Sequence, residues 1–316
     1  MTGLHEALTQ YVTVRRALGT RLAEPANTLR QFVTFLEREG SSRITTALAV
    51  RWATAPQGVQ RATWGRRLSM VRRFAAWLSA FDPHTEVPPQ RLLPSRHRRP
   101  RPHIFTEAET RGLMAEAARR RSHTGLRPLT YTTLIGLLAA TGLRPGEALA
   151  LDRADVDLEN GILVIRETKF GKSRFVPIDP STRAALQQYA ERRDTVCVRP
   201  RAPAFLLSER GLRLVGGTAR RMFVSLSRAV GLRTATGSRR VGRGPRLQDF
   251  RHSFATHRLV EWYRQGLDVA RELPKLATYL GHAEVGLTYW YIEAVPELLT
   301  LATERLGRQP EMGGGR

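Results

Sequence analysis

The chain has 316 residues, enough for two domains that each bury a core, and 41% of them are hydrophobic. Against 28 acidic residues stand 51 basic ones, a formal charge of +23 that solubility does not require and that points to a polyanionic partner such as nucleic acid. The single cysteine, Cys197, excludes a disulfide framework and a cysteine-based zinc site; no apolar run reaches membrane-spanning length and the amphipathic N-terminus lacks a signal-peptide core, so a cytoplasmic, nucleoid-associated protein without a membrane partner is expected.

From Leu4 to about Ala80, apolar residues recur at helical spacing: Leu4, Leu8, Tyr11 and Val12, then Leu29, Phe32, Val33 and Leu36, then Leu68, Val71, Phe74, Ala75 and Leu78. The pattern predicts a domain of about four helices over residues 1–82. Its last helix, "WGRRLSMVRRFAAWLSAF", sets Arg66, Arg67, Arg72 and Arg73 opposite the apolar stripe, where they are candidates for contact with a phosphate backbone. Six prolines and a run of basic residues between Asp82 and Pro102 defeat a helix, so residues 83–104 read as an extended basic linker.

Beyond it, "FTEAETRGLMAEA" opens a helix with Thr106 as N-cap and Glu109 at capping-box spacing, and "LTYTTLIGLLAATG" gives another that ends at Gly142. The two β-rich runs of "GILVIRETKFGKSRFVPI" predict a hairpin around Lys169 and Lys172. Helical patterns return at 180–193, 218–230, 248–264, 268–280 and 296–306. Residues 105–308 thus form a second domain, and 309–316 a flexible tail. The fold class is mainly α with a small β-hairpin, in two domains.

Four features carry chemistry: "ATGLRPGEAL" with Arg144, the hairpin with Lys169, "LQDFRHSFATH" with Arg251, and "LGHAEVGLTYWY" with His282 and Tyr291. Together, in this order and with nine positions from His282 to Tyr291, they resemble the tyrosine recombinase, or phage integrase, family. The resemblance covers nearly the whole chain, the N-terminal helices being similar to the family's core-binding domain. It implies a site-specific recombinase that cleaves and rejoins double-stranded DNA through a 3′-phosphotyrosine, without cofactor or metal. It further implies a clamp closing around specific DNA sites and a homotetramer on DNA, in which the segment 296–306 docks on a neighbour. Mobile-element context and sister recombinases fit the same picture.

The chemistry also follows from first principles. Breaking a phosphodiester without metal needs a nucleophile, neutralisation of charge on the non-bridging oxygens, and a proton for the leaving 5′ oxygen. Guanidinium suits the second task, and Arg144, directly before Pro145, belongs at a helix N-terminus that also favours an anion. Arg251 is the second clamp. By resemblance Lys169 is the proton donor, with Lys172 as runner-up and otherwise a DNA contact, and His282 hydrogen-bonds the phosphate or the phenol.

Tyr289 and Tyr291 lie about 200° apart on a helix, so they cannot both face one phosphate, and family spacing selects Tyr291. One position departs from the family. Where a histidine usually stands three residues before the second arginine, this chain has Gln248, which can hold an oxygen but cannot relay a proton; the neighbouring His252 belongs, by resemblance, to an Arg-His pair that stabilises the fold and is a weak substitute. That departure leaves open an accessory DNA-binding subunit, and a type IB topoisomerase would use the same residues. A metal-dependent transposase is disfavoured because Glu147, Asp152, Asp155 and Asp157 read as structural.

Overall fold

The computed structural model describes residues 3–20, 22–94, 101–166, 173–234 and 244–281, and the chain divides into two units, one ending at Pro100 and one beginning at Arg101. In the first, the apolar spacing yields four helices, α1 (Leu4–Ala17), α2 (Ala23–Arg38), α3 (Thr46–Thr54) and α4 (Arg61–Leu78). Phe32, Leu36, Leu68, Val71 and Phe74 are fully buried in their shared core. Thr45 caps α3 by accepting the Leu48 N–H at 3.2 Å.

The arginines of α4 divide between two tasks. Arg67 lies over the Trp52 ring, 3.7 Å from its centroid, and donates to the Trp52 carbonyl. Arg72 donates to the carbonyls of Pro88 and Pro89 at 2.7 and 2.6 Å. These two are half-buried and serve the fold, whereas Arg66 and Arg73 are exposed. Glu86 adds a further tie, donating its N–H to the Ile44 carbonyl and accepting that of Thr46. The first stretch of the Pro-rich segment is therefore extended but packed on the first unit. Prolines leave carbonyls without ladder partners, and Arg72 satisfies two of them.

The second unit begins with α5 (Glu107–Ala118), whose capping box is formed: Thr106 Oγ1 accepts the Glu109 N–H and the Glu109 carboxylate accepts that of Thr106. Then follow α6 (Leu126–Thr141), α7 (Pro145–Ala150), a 3-10 turn at Arg153–Asp155, and the strands β1 (Val156–Asp157), β2 (Ile162–Ile165) and β3 (Arg174–Pro177). The strands form one antiparallel sheet in the order β1-β2-β3. Pairing of Leu163 with Val176 and Ile165 with Arg174 turns Leu163, Ile165 and Val176 into the core. After the sheet come α8 (Pro180–Val196), α9 (Gly216–Ala229), α10 (Asp249–Arg264) and α11 (Val269–Leu280). The helix expected at 296–306 and the tail at 309–316 lie outside the described residues.

Helix α10 is held firmly at its start, which matters because Gln248 and Arg251 sit there. Phe250 stacks on Phe105 with centroids 4.2 Å apart, and Phe223 of α9 meets it edge-on at 5.9 Å. Ser253 Oγ accepts the Phe105 N–H at 2.8 Å. The buried Asp249 carboxylate accepts the Arg246 N–H at 2.9 Å and its guanidinium at 2.7 Å, closing the entry turn.

Candidate active site

Arg144 is the N-cap of α7, with extended backbone and Pro145 in the first turn, as its sequence position predicts. Glu147, three residues on, accepts the Arg144 N–H at 3.1 Å and its Nη1 at 2.7 Å. A second guanidinium reaches the same carboxylate: Arg174, at the start of β3, donates Nη2 and Nη1 to the two Glu147 oxygens at 2.8 and 3.2 Å. Burial acts to raise the Glu147 pKa, but the hydrogen bonds and charges of Arg174 and Arg144 outweigh it, and the pKa falls below its ordinary value. Glu147 is a carboxylate held between two cations.

Arg251 arrives from the other side. Its side chain is among the largest fully buried ones, 2% exposed, against 35% for the side chain of Arg144. It donates Nη1 to the Gly142 carbonyl at 3.2 Å and Nη2 to the Leu280 carbonyl at 2.6 Å. These carbonyls end α6 and α11, so the buried cation sits at the negative ends of two helices. Arg144 Nη2 donates to the next carbonyl, that of Gly281, at 3.4 Å. Two guanidiniums that are 107 positions apart in sequence thereby meet consecutive carbonyls immediately before His282.

Gly142 is required twice over. Its φ is +60°, and a Cβ there would lie 2.6 Å from the Phe254 ring. Gly142→Ala should destabilise the protein by roughly 2–3 kcal/mol, from left-handed backbone strain plus displacement of the ring. Thermal unfolding measures it: an unchanged melting temperature would contradict this placement of the α6 terminus.

Gln248 precedes α10 and accepts the Arg251 N–H on its main-chain carbonyl. It lines a cleft of about 540 Å³ with Pro145, Gly146, Arg220, Arg233 and Arg246, so α9, the turn after it and the entry to α10 present three guanidiniums beside it. His252 is a poor proton relay: burial pushes its imidazole down to about 4, leaving it neutral near pH 7. Lys169, Lys172, His282, Tyr289 and Tyr291 lie outside the described residues.

The four acidic residues near these motifs, Glu147, Asp152, Asp155 and Asp157, all have partners. Asp152 pairs with Arg213, Asp155 with Arg166 and the Asp152 N–H, and Asp157 holds Asn160. The residue that motif reading passed over is Arg174. Its only signal is its place in "KSRFVPI", three residues before the proline.

Residues 103–297 match the model of the phage integrase family. An integrase/recombinase of Sinorhizobium fredii, y4rB, is 44% identical over 315 residues, covering 98% of this chain and 99% of its own. The tyrosine recombinase XerC of Mycobacterium tuberculosis is 30% identical, with 96% and 98% covered. Among solved structures, the Tn1549 transposon integrase in complex with transposon right end DNA aligns with a TM-score of 0.64 at 16% identity, over 95% of this chain and 99% of that one. A lambda integrase dimer bound to a core site aligns with a TM-score of 0.59 at 17% identity, over 92% and 77%.

Proposed function

This chain belongs to the phage integrase family and is a site-specific DNA recombinase of the tyrosine type, and we propose that its strand exchange runs through Tyr291, with Arg144 and Arg251 neutralising the scissile phosphate. Tyr291 attacks phosphorus, a 3′-phosphotyrosine forms, and the 5′ oxygen leaves as a hydroxyl once it has taken a proton. That hydroxyl of a partner strand then attacks the phosphotyrosine and releases the enzyme. Bond energy is conserved in the linkage, so the residues alone complete the cycle.

The observation that carries this reading is the convergence of Arg144 and Arg251 on the Leu280 and Gly281 carbonyls. It sets both cations at the turn from which the chain runs on to His282 and, nine residues later, Tyr291. Lys169 donates the proton to the leaving oxygen and His282 hydrogen-bonds a non-bridging oxygen or the phenol. Gln248 offers its amide NH2 to an oxygen of the same phosphate, a task that needs no proton relay.

Double-stranded DNA with specific sites is the partner. Arg66, Arg73 and Lys172 contact its backbone, while Arg67 and Arg72 support the fold that presents them. A tetramer assembles on two sites, and the names of the relatives favour a mobile element.

The test is covalent capture. A duplex nicked just 3′ of the cleavage position loses the short fragment that carries the freed 5′ hydroxyl, which traps the adduct. Denaturing gels should show protein–DNA adduct in excess EDTA at the same yield as in magnesium. Loss of adduct on chelation would assign the chemistry to a metal instead. A second reading, an accessory subunit, is favoured by Gln248 alone, and predicts site-specific binding with no adduct under either condition.

A further inference from the structure

Arg174 joins three elements at the candidate site. From β3 it grips both oxygens of Glu147 on α7, and its Nε donates to the Tyr279 carbonyl in the last turn of α11 at 2.9 Å. Its side chain is 12% exposed. Gly281, with φ +70°, is pressed against it so closely that a Cβ would stand 2.8 Å from Nη1. An arginine at this position is therefore built in, with the neighbouring backbone shaped around it.

Charge explains why a second cation is needed. Glu147 aligns Arg144 by holding its N–H and its guanidinium, yet a carboxylate that orients a phosphate clamp also cancels it. Alone, the pair presents no net charge to an incoming phosphate. Arg174 supplies a counter-charge to the same carboxylate, and with Arg251 the described residues that meet here count three guanidiniums against one carboxylate. Two positive charges remain. A phosphodiester carries one negative charge, and attack by a phenolate raises it to two in the transition state.

We propose that Arg174 is a positioning residue for DNA cleavage: it neutralises Glu147, so that Glu147 can orient Arg144 without consuming the charge Arg144 offers to the scissile phosphate. This rests on Arg144 acting on that phosphate.

Single-turnover cleavage of a nicked duplex by the full-length chain tests it. Arg174→Gln should slow cleavage about 10- to 100-fold, the scale on which an outer partner of a primary ligand acts, with DNA affinity nearly unchanged. The double variant Glu147→Gln/Arg174→Gln removes both charges and returns the net balance, so it should cleave several-fold faster than Arg174→Gln alone. A purely structural Arg174 predicts the reverse, because the double variant has lost more hydrogen bonds. A double variant no faster than the single one overturns the proposal.

Where Arg174→Gln melts too low to assay, Arg174→Lys carries the test. It keeps the charge but gives up the bidentate fork, so its loss should be smaller than the about 10- to 100-fold expected of neutralisation, and a deeper loss overturns the charge argument. The control is Arg144→Ala. If that variant cleaves normally, the assignment of Arg144 fails and takes this role with it; if it is inactive while Arg174→Gln is unimpaired, only the role of Arg174 falls.

Discussion

Tyr291→Phe should abolish covalent capture of a nicked substrate while leaving DNA binding within about twofold, the largest loss expected of any single substitution here. Phenylalanine keeps the ring and removes the only atom that can attack phosphorus, so packing survives and chemistry does not. A phenol of pKa near 10 is about 0.1% ionised at neutral pH, and a nucleophile this weak works only where neighbouring cations stabilise its anion. In the proposed site the turn that ends α11 provides such a place, since Arg144 and Arg251 bond the two carbonyls that precede His282. On the helical reading of this sequence stretch Tyr289 stands about 200° from Tyr291, so Tyr289→Phe should capture DNA at nearly the natural yield. Peptide mapping of the trapped adduct decides between them. A phosphotyrosine at Tyr289 would refute both the helix-phase argument and the nine-residue spacing.

The elements were legible wherever a periodic apolar pattern ran for several turns. Helices α1, α2, α4, α6, α8, α9, α10 and α11 announce themselves this way, and the Thr106–Glu109 box marks the start of α5 through local chemistry. Strand β1 is two residues long, too short for alternation to register. The less legible part of the site is its supporting shell. A guanidinium in an arginine-rich chain looks the same in sequence whether it will face a phosphate, an aromatic ring or a carbonyl. Arg67 and Arg72 had the spacing of backbone contacts, and their targets are Trp52 and two prolines. Arg174 had no apparent task until β3 brought it to Glu147, 27 positions away. Arg251 was a candidate clamp on sequence grounds, but its burial depends on where α6 and α11 end, which is tertiary information.

That burial separates the two proposed clamps experimentally. Arg144→Ala and Arg251→Ala should each slow single-turnover cleavage by roughly two to three orders of magnitude, the scale for losing one transition-state donor, while affinity changes little because many other arginines hold the duplex. Their stabilities should differ. Arg144 is half-exposed and capped by Glu147, so its loss should leave the melting temperature nearly unchanged. Removing Arg251 strands the Gly142 and Leu280 carbonyls in the interior, and a buried acceptor without its donor costs about 1–3 kcal/mol. Only Arg251→Ala should therefore melt early. A substrate with a 5′-bridging phosphorothioate adds a chemical discriminator, because its sulfur leaves without a proton. It should rescue Lys169→Ala strongly and Arg144→Ala hardly at all, since a better leaving group does nothing for charge on the non-bridging oxygens. Rescue of Lys172→Ala in place of Lys169→Ala would exchange the two hairpin lysines. Rescue of Arg144→Ala would move that arginine from phosphate clamp to leaving-group assistance, and the charge balance built on Glu147 and Arg174 would have to be redrawn around the 5′ oxygen.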